Sequence, residues 1–254
     1  MDQVCWICGD KADSAEHRLK KSDLVRAHGR GPYTGPSALS HVRDGKETHI
    51  QGPGSKQIKY SPSLCQYCNN TRTQPFDRAY EHFISWVLDH HEDLILRRRF
   101  IDLSEVYGSG WESQQRDLYK YFTKSFGCRL VDAGIPVPAD VVDLIGQERF
   151  RTRLRLSLAV NEDILLLHQK DRNGFIGKGI LLGWALPETP DVYDEFIWDE
   201  HVSWLTICYW YNRVPDGPLG STWIADSQFL YFGSFAPLDG NSRHELLEKV
   251  KSRD

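Results

Sequence analysis

The chain has no apolar run long enough to cross a bilayer. The longest, Ile180 to Leu186, is interrupted by a glycine and falls far short of the roughly 20 residues a spanning helix needs. The first residues also lack the basic-then-apolar order of a secretory signal, so the expected location is the cytoplasm. Residues 101–254 contain no glycine-rich phosphate loop, no Gly-x-Ser-x-Gly elbow and no His-Glu-x-x-His pair, which removes three familiar ways of building an active site there. No internal repeat or low-complexity tract is visible. Cysteine is scarce, with six in 254 residues, and four of those six form two Cys-x-x-Cys pairs. In a reducing compartment that pattern points to metal, not to disulfides. Cys128 and Cys208 stand alone and read as small buried hydrophobes.

Core-forming material is plentiful. Apolar residues make up 40% of the chain, with 8 Trp, 11 Tyr and 11 Phe, which excludes disorder as the default state. The net charge of −4 conceals a division. Residues 1–74 carry 11 Lys/Arg against 7 Asp/Glu, and the remainder carries 20 against 28. The positive field therefore lies on the cysteine-bearing segment, and an acidic remainder suits docking to a partner better than wrapping a polyanion.

Three zones follow from local patterning. Residues 1–74 are rich in Gly, Pro, Lys and Cys; a short helix is predicted over Asp23–His28, capped by Ser22 and ended by Gly29. An extended hairpin is predicted over Leu39–Tyr60, with turns at Asp44-Gly45 and Gly52-Pro53-Gly54. Residues 75–100 show the clearest helical stripe (Phe76, Tyr80, Phe83, Val87), with Thr73 as cap and the cations Arg97–Arg99 at the end. Beyond 101 a helical patch, Gln114–Phe126, gives way to strands. Leu154, Leu156, Leu158 and Val160 alternate with Arg153, Arg155, Ser157 and Ala159, and further strands are expected at Ile164–Gln169, Phe175–Leu186, His201–Asn212 and Ser221–Phe235. A short helix, Arg243–Val250, closes the chain. The aromatic cluster Trp204, Tyr209, Trp210 and Tyr211 reads as strand packing before base stacking.

The chemistry-bearing residues lie at the N-terminal end. Cys5, Cys8, Cys65 and Cys68 supply four soft thiolates, the tetrahedral set that structural zinc prefers, and loop-closure entropy grows slowly enough to tolerate their 56-residue separation. Between the pairs stands Glu16-His17, and the second pair reads Cys65-Gln66-Tyr67-Cys68-Asn69-Asn70-Thr71-Arg72. In this order residues 1–80 resemble the HNH endonuclease family, in the branch whose ββα-metal core is stapled by zinc knuckles. The resemblance implies that His17 is a general base, that Glu16 and Asn69 are oxygen ligands to a catalytic Mg²⁺ or Mn²⁺, and that Arg72 contacts a phosphate. It also implies DNA as substrate, with a restriction or anti-phage effector role and a partner protein such as an ATPase as extensions. The Asn that gives the family its middle letter has no counterpart, since residues 1–68 contain none; Ser61, His41 and His49 are the available substitutes. The long span from His17 to Asn69 implies an insertion at about Gly29–Gly54.

The expectation is thus an α+β protein: an HNH-like zinc module at 1–74, a connecting helix at 75–100, and at 101–254 an α+β domain with a mostly antiparallel sheet. The competing functional class is a non-catalytic zinc module that binds nucleic acid or a protein partner. A third, an enzyme whose site lies wholly in residues 101–254, is the weakest because the motifs are missing there.

Overall fold

The computed structural model describes residues 3–35, 38–43, 45–148, 150–186, 189–215 and 221–251. In chain order the first elements are α1 (Lys21–His28), β1 (Leu39–Arg43), β2 (Lys46–Ile50), α2 (Gln74–Asp89), α3 (His91–Asp93), β3 (Phe100–Asp102), α4 (Leu103–Tyr107), α5 (Trp111–Asp132) and α6 (Ala139–Leu144). There follow β4 (Leu154–Asn161), α7 (Gln169–Asn173), β5 (Ile176–Lys178), β6 (Leu182–Leu186), β7 (Thr189–Val202), β8 (Leu205–Tyr211), β9 (Phe229–Phe235) and α8 (Gly240–Lys251). The class is α+β, as expected. Among the described residues no helix is long and apolar enough to cross a membrane.

The chain divides into two compact units, residues 1–89 with 106–152, and residues 90–105 with 153–254. These boundaries differ from the breaks at 74 and 100 expected from local patterning. In the structure the cysteine-bearing segment shares its unit with α2 and α5, so its core is larger than 74 residues supply.

In the first unit, two short segments far apart in sequence pair antiparallel. Ser14 bridges Leu64 and His17 bridges Lys59, tied by Arg18 N–H to the Ile58 carbonyl at 2.7 Å and Tyr60 N–H to the Glu16 carbonyl at 2.9 Å. One wide, π-helical turn over Cys68–Arg72, closed by Thr73 N–H on the Cys68 carbonyl, then leads into α2. The β1–β2 hairpin, in register Leu39 with Ile50 and Arg43 with Lys46, forms within the intervening span, close to where an insertion was expected. Asp44, half of the expected turn, lies outside the described residues. Helix α2 buries Phe76, Ala79, Tyr80, Phe83, Ile84 and Val87, the predicted stripe. Its partner is α5: the Tyr80 ring stacks on Tyr121 at 4.0 Å and meets Phe122 edge-on at 6.0 Å, pairs worth about 0.5–1.5 kcal/mol each beyond their burial. Gly127 on α5 is there for clearance, because a Cβ would come within 2.6 Å of the Trp6 ring. The helix predicted to run to about 100 stops at Asp89; His90 leaves helical geometry, and a π-helical turn over Leu94–Arg98 ends at Arg99 in the left-handed region. Helix α1 begins at Lys21, so Ser22 is in the first turn and does not cap it.

The second unit is built on a seven-stranded mixed sheet, ordered β3-β9-β4-β8-β7-β5, with β6 also on β7. Among the described residues only β4 and β9 run parallel; every other strand pair of this sheet is antiparallel. All seven residues of β8 are buried, which explains why its run, Leu205 to Tyr211, reads as continuous hydrophobicity without alternation. Trp204, Tyr209, Trp210 and Tyr211 are core residues, with Tyr209 against Trp198 at 4.7 Å. Three expectations are corrected here. Ile164–Gln169 forms a single tight turn (Ile164–Leu166) because Asn161 Oδ1 accepts the N–H groups of Asp163 and Ile164 and folds the chain back. Strand β7, 14 residues long, was not foreseen; Pro190 and its many charges hide it. The strand expected at Ser221–Phe235 is confined to Phe229–Phe235, with Trp223 making an isolated bridge to Leu156.

Candidate metal centre and basic cleft

The four paired cysteines come together from both ends of the antiparallel segment. One ligand atom from each of Cys5, Cys8, Cys65 and Cys68 lies within 4.8 Å of all the others. Cys8 Sγ and Cys65 Sγ are 3.7 Å apart. A tetrahedral ion with metal–sulfur bonds of about 2.3 Å places sulfur atoms about 3.8 Å apart, close to the Cys8–Cys65 spacing. Backbone turns shape both knuckles: Gly9, at positive φ, donates to the Cys5 carbonyl at 2.8 Å, and Asn69 N–H to the Cys65 carbonyl at 3.0 Å. These four side chains could therefore hold a metal ion such as zinc. Cys128 and Cys208 are buried elsewhere; burial pushes their thiols up, to about 11 and about 12, which makes them inert as expected.

Glu16 and His17 are neighbours in sequence with different surroundings. His17 lines an open cleft of about 680 Å³ together with Lys20, Lys21, Ser22, Arg30 and Glu81, the remainder being Val25, Pro53 and Gly54. Three cations against one carboxylate make the cleft basic. Two polar atoms on its lining residues, His17 Nε2 and Ser22 Oγ, are buried without a hydrogen-bond partner. Buried polar groups in folded proteins are nearly always paired, so these two orphans are unused hydrogen-bonding capacity on residues of the basic cleft. Burial is the main force lowering the His17 pKa; the Glu16 charge opposes it, and Lys59, Lys20 and Lys21 push it further down. The imidazole is consequently neutral near pH 7, the form that accepts a proton.

Glu16 turns the other way, into the protein. Its Oε1 accepts the His17 backbone N–H at 2.9 Å, and its Oε2 meets the Lys124 ammonium at 2.6 Å. Lys124, from α5, is 1% exposed and points all three of its donors at protein oxygens: Glu16, Asp77 Oδ2 at 3.1 Å and Thr73 Oγ1 at 3.3 Å. Asp77 in turn accepts from Lys20 through Oδ1. Burial alone would raise the Glu16 carboxyl, but the Lys124 charge, then Lys20 and the two hydrogen bonds, outweigh it and hold the group well below the usual carboxylate range. Burial alone would lower the Lys124 ammonium; Glu16 and Asp77 hold it above its usual value. Arg18, on the same side of the segment as Glu16, pairs with Asp132 at 2.6 Å.

Of the four residues expected to act together, only His17 lines the cleft. The Asn69 side chain donates through Nδ2 to Ser14 Oγ at 2.9 Å. Arg72 is exposed, with its guanidinium near Gly146 and its charge felt by Lys120. Ser61, proposed as a substitute for the missing Asn, directs its backbone N–H at Asp132 at 3.4 Å. The Mg²⁺ or Mn²⁺ that the resemblance implies is not matched by this arrangement: both Glu16 oxygens already accept hydrogen bonds, one of them from a buried ammonium, and Asn69 faces a hydroxyl. Reading the sequence did not identify Lys20, Lys21, Arg30, Glu81 or Lys124 as site residues. A signal existed for the last, since Lys124 falls three residues after Tyr121 and four before Cys128, on the buried face of α5. Comparison with protein-family models, with curated proteins and with solved structures finds no match to this chain.

Proposed function

We propose that the first unit is a zinc-stapled nuclease of the HNH kind that hydrolyses DNA phosphodiesters in the His17 cleft. The observation that carries this reading is the pair of unpartnered polar atoms, His17 Nε2 and Ser22 Oγ, on a cleft lined by Lys20, Lys21 and Arg30. The neutral imidazole takes a proton from water as the oxygen attacks phosphorus, the P–O3′ bond breaks, and the 3′ oxygen leaves as a hydroxyl after taking a proton from solvent. The cleft cations offset the charge that builds on the phosphoryl oxygens, the kind of fixed electrostatic stabilisation that contributes most to such reactions. Zinc in the four-thiolate site holds the knuckles and takes no part in the reaction. Antiparallel pairing of residues 14–18 with 58–64, followed by α2, supports the likeness to a ββα core. The wider role as a restriction or anti-phage effector, with a partner such as an ATPase, rests on the resemblance alone.

The second reading is a zinc module that binds nucleic acid without cutting it. It is favoured by the engagement of Glu16 with Lys124 and of Asn69 with Ser14. One experiment separates the two: supercoiled plasmid is incubated with zinc-loaded protein, with and without Mg²⁺ or Mn²⁺, beside His17→Ala of equal zinc content. The nuclease reading expects nicking by the wild type and its loss in the variant. Salt-sensitive binding with no cleavage in any divalent ion would establish the second reading.

A further inference from the structure

The resemblance assigns Glu16 to a divalent ion, and the buried charges of the first unit assign it elsewhere. We infer that the Lys124 ammonium is the resident cation of the Glu16–Asp77 carboxylate pair, and that Glu16 is its counter-ion and a positioning residue for the cleft, not a ligand for a divalent metal. Three observations carry this. Lys124 is 1% exposed and saturated by Glu16, Asp77 and Thr73, so its head group has no route to water. The four charges Glu16, Asp77, Lys124 and Lys20 balance, and a further divalent charge inside that cluster would face the two ammonium groups at close range. Both ends of the cluster also reach the cleft wall: Glu16 accepts the His17 backbone N–H, and Asp77 accepts the Lys20 ammonium. One lysine on α5 thereby sets the placement of the cleft's imidazole and of one of its cations. Sequence separation conceals the partners, because Lys124 is 108 residues from Glu16 and 47 from Asp77; its place on the buried face of α5 is the one local signal.

The inference concerns what Glu16 holds, and it stands whether or not the cleft cleaves DNA. Its test is a Mn²⁺ titration of the zinc-loaded full chain, read by paramagnetic broadening of labelled side-chain and backbone resonances. The wild type is expected to show no broadening centred on Glu16, Asp77 or the His17 amide at millimolar Mn²⁺, and Glu16→Gln to leave the Mn²⁺ response unchanged. Lys124→Met, where folded, is expected to gain broadening at Glu16 and Asp77, since two carboxylates are then left for a hard cation. Saturable broadening at Glu16 in the wild type, or a tenfold or greater loss of Mn²⁺ affinity in Glu16→Gln, overturns the inference. The wild type and Glu16→Gln decide the matter even if Lys124→Met does not fold. A failed plasmid assay, by contrast, removes the nuclease reading and leaves this result untouched.

Discussion

Replacing Lys124 by Met tests the buried charge cluster energetically. The substitution roughly preserves volume and removes the ammonium, leaving Glu16, with a side chain 11% exposed, facing its former partner's empty place. Asp77 keeps Lys20, so the cost falls mainly on Glu16. Removing one member of a buried pair costs about 3–5 kcal/mol, a large share of the 5–15 kcal/mol typical of a whole domain. Urea unfolding of zinc-loaded protein at pH 7 should show the first unit's transition at a lower midpoint with unchanged slope. The pH dependence has a definite sign. In the wild type Glu16 is held below the carboxyl's ordinary pKa of 4.5, so its contribution is complete above that pH and is lost as pH falls through the lowered value. In the variant, burial is opposed only by the Lys20 charge and the His17 N–H, so Glu16 rises from its wild-type value; lowering the pH protonates it earlier and narrows the gap between the two proteins. Glu16→Gln combined with Lys124→Met should recover about 1–3 kcal/mol relative to Lys124→Met alone, because no orphaned charge remains. A loss under about 0.5 kcal/mol, or a loss that does not change with pH, refutes the reasoning.

Other outcomes follow from the same structure. Purified protein should carry one zinc per chain by elemental analysis, and Cys65→Ser or a strong chelator should remove it and unfold the first unit, since structural zinc contributes about 10–16 kcal/mol at neutral pH; a folded, metal-free Cys65→Ser variant contradicts the thiolate site. Gly127→Ala should destabilise by about 1–3 kcal/mol in thermal or urea unfolding despite alanine's better helix propensity, because its Cβ meets the Trp6 ring; a stabilising effect would mean the ring yields. Because burial lowers the His17 pKa below 6.5, cleavage measured as kcat/KM should hold steady as pH drops through 6.5 and decline only below it, and the stability tied to the neutral imidazole should fade over the same interval. A rate that halves above pH 7 assigns the base to another group.

The parts of this protein that could be read from its sequence share a physical reason. Two Cys-x-x-Cys pairs announce themselves because a tetrahedral ion demands short local spacings, and the α2 stripe does so because one face of a 3.6-residue period is buried. Strand β4 alternates in sequence and lies within a residue of its expected place, although every residue in it except Arg155 is buried. Elements whose cause is tertiary were hidden. Segments 14–18 and 58–64 are too short for periodicity and pair across some 40 residues. β7 mixes charges into its length and begins near a proline, whereas β8, buried throughout and without alternation, is still expected within His201–Asn212 from its aromatics. Glu16-His17 was recognisable as a pair, but its two side chains part company, one into the cleft and one into α5. Only the position of Lys124 on the helix's buried face could have forewarned of that.

The central proposal is that His17 acts in a basic cleft on a unit whose four cysteines could hold zinc. Its most direct measurement is plasmid cleavage by the wild type beside His17→Ala, each with its zinc content determined. Cleavage lost by at least about a hundredfold with zinc unchanged is the predicted result, in line with what a positioned general base contributes. Equal cleavage by the two proteins would contradict it.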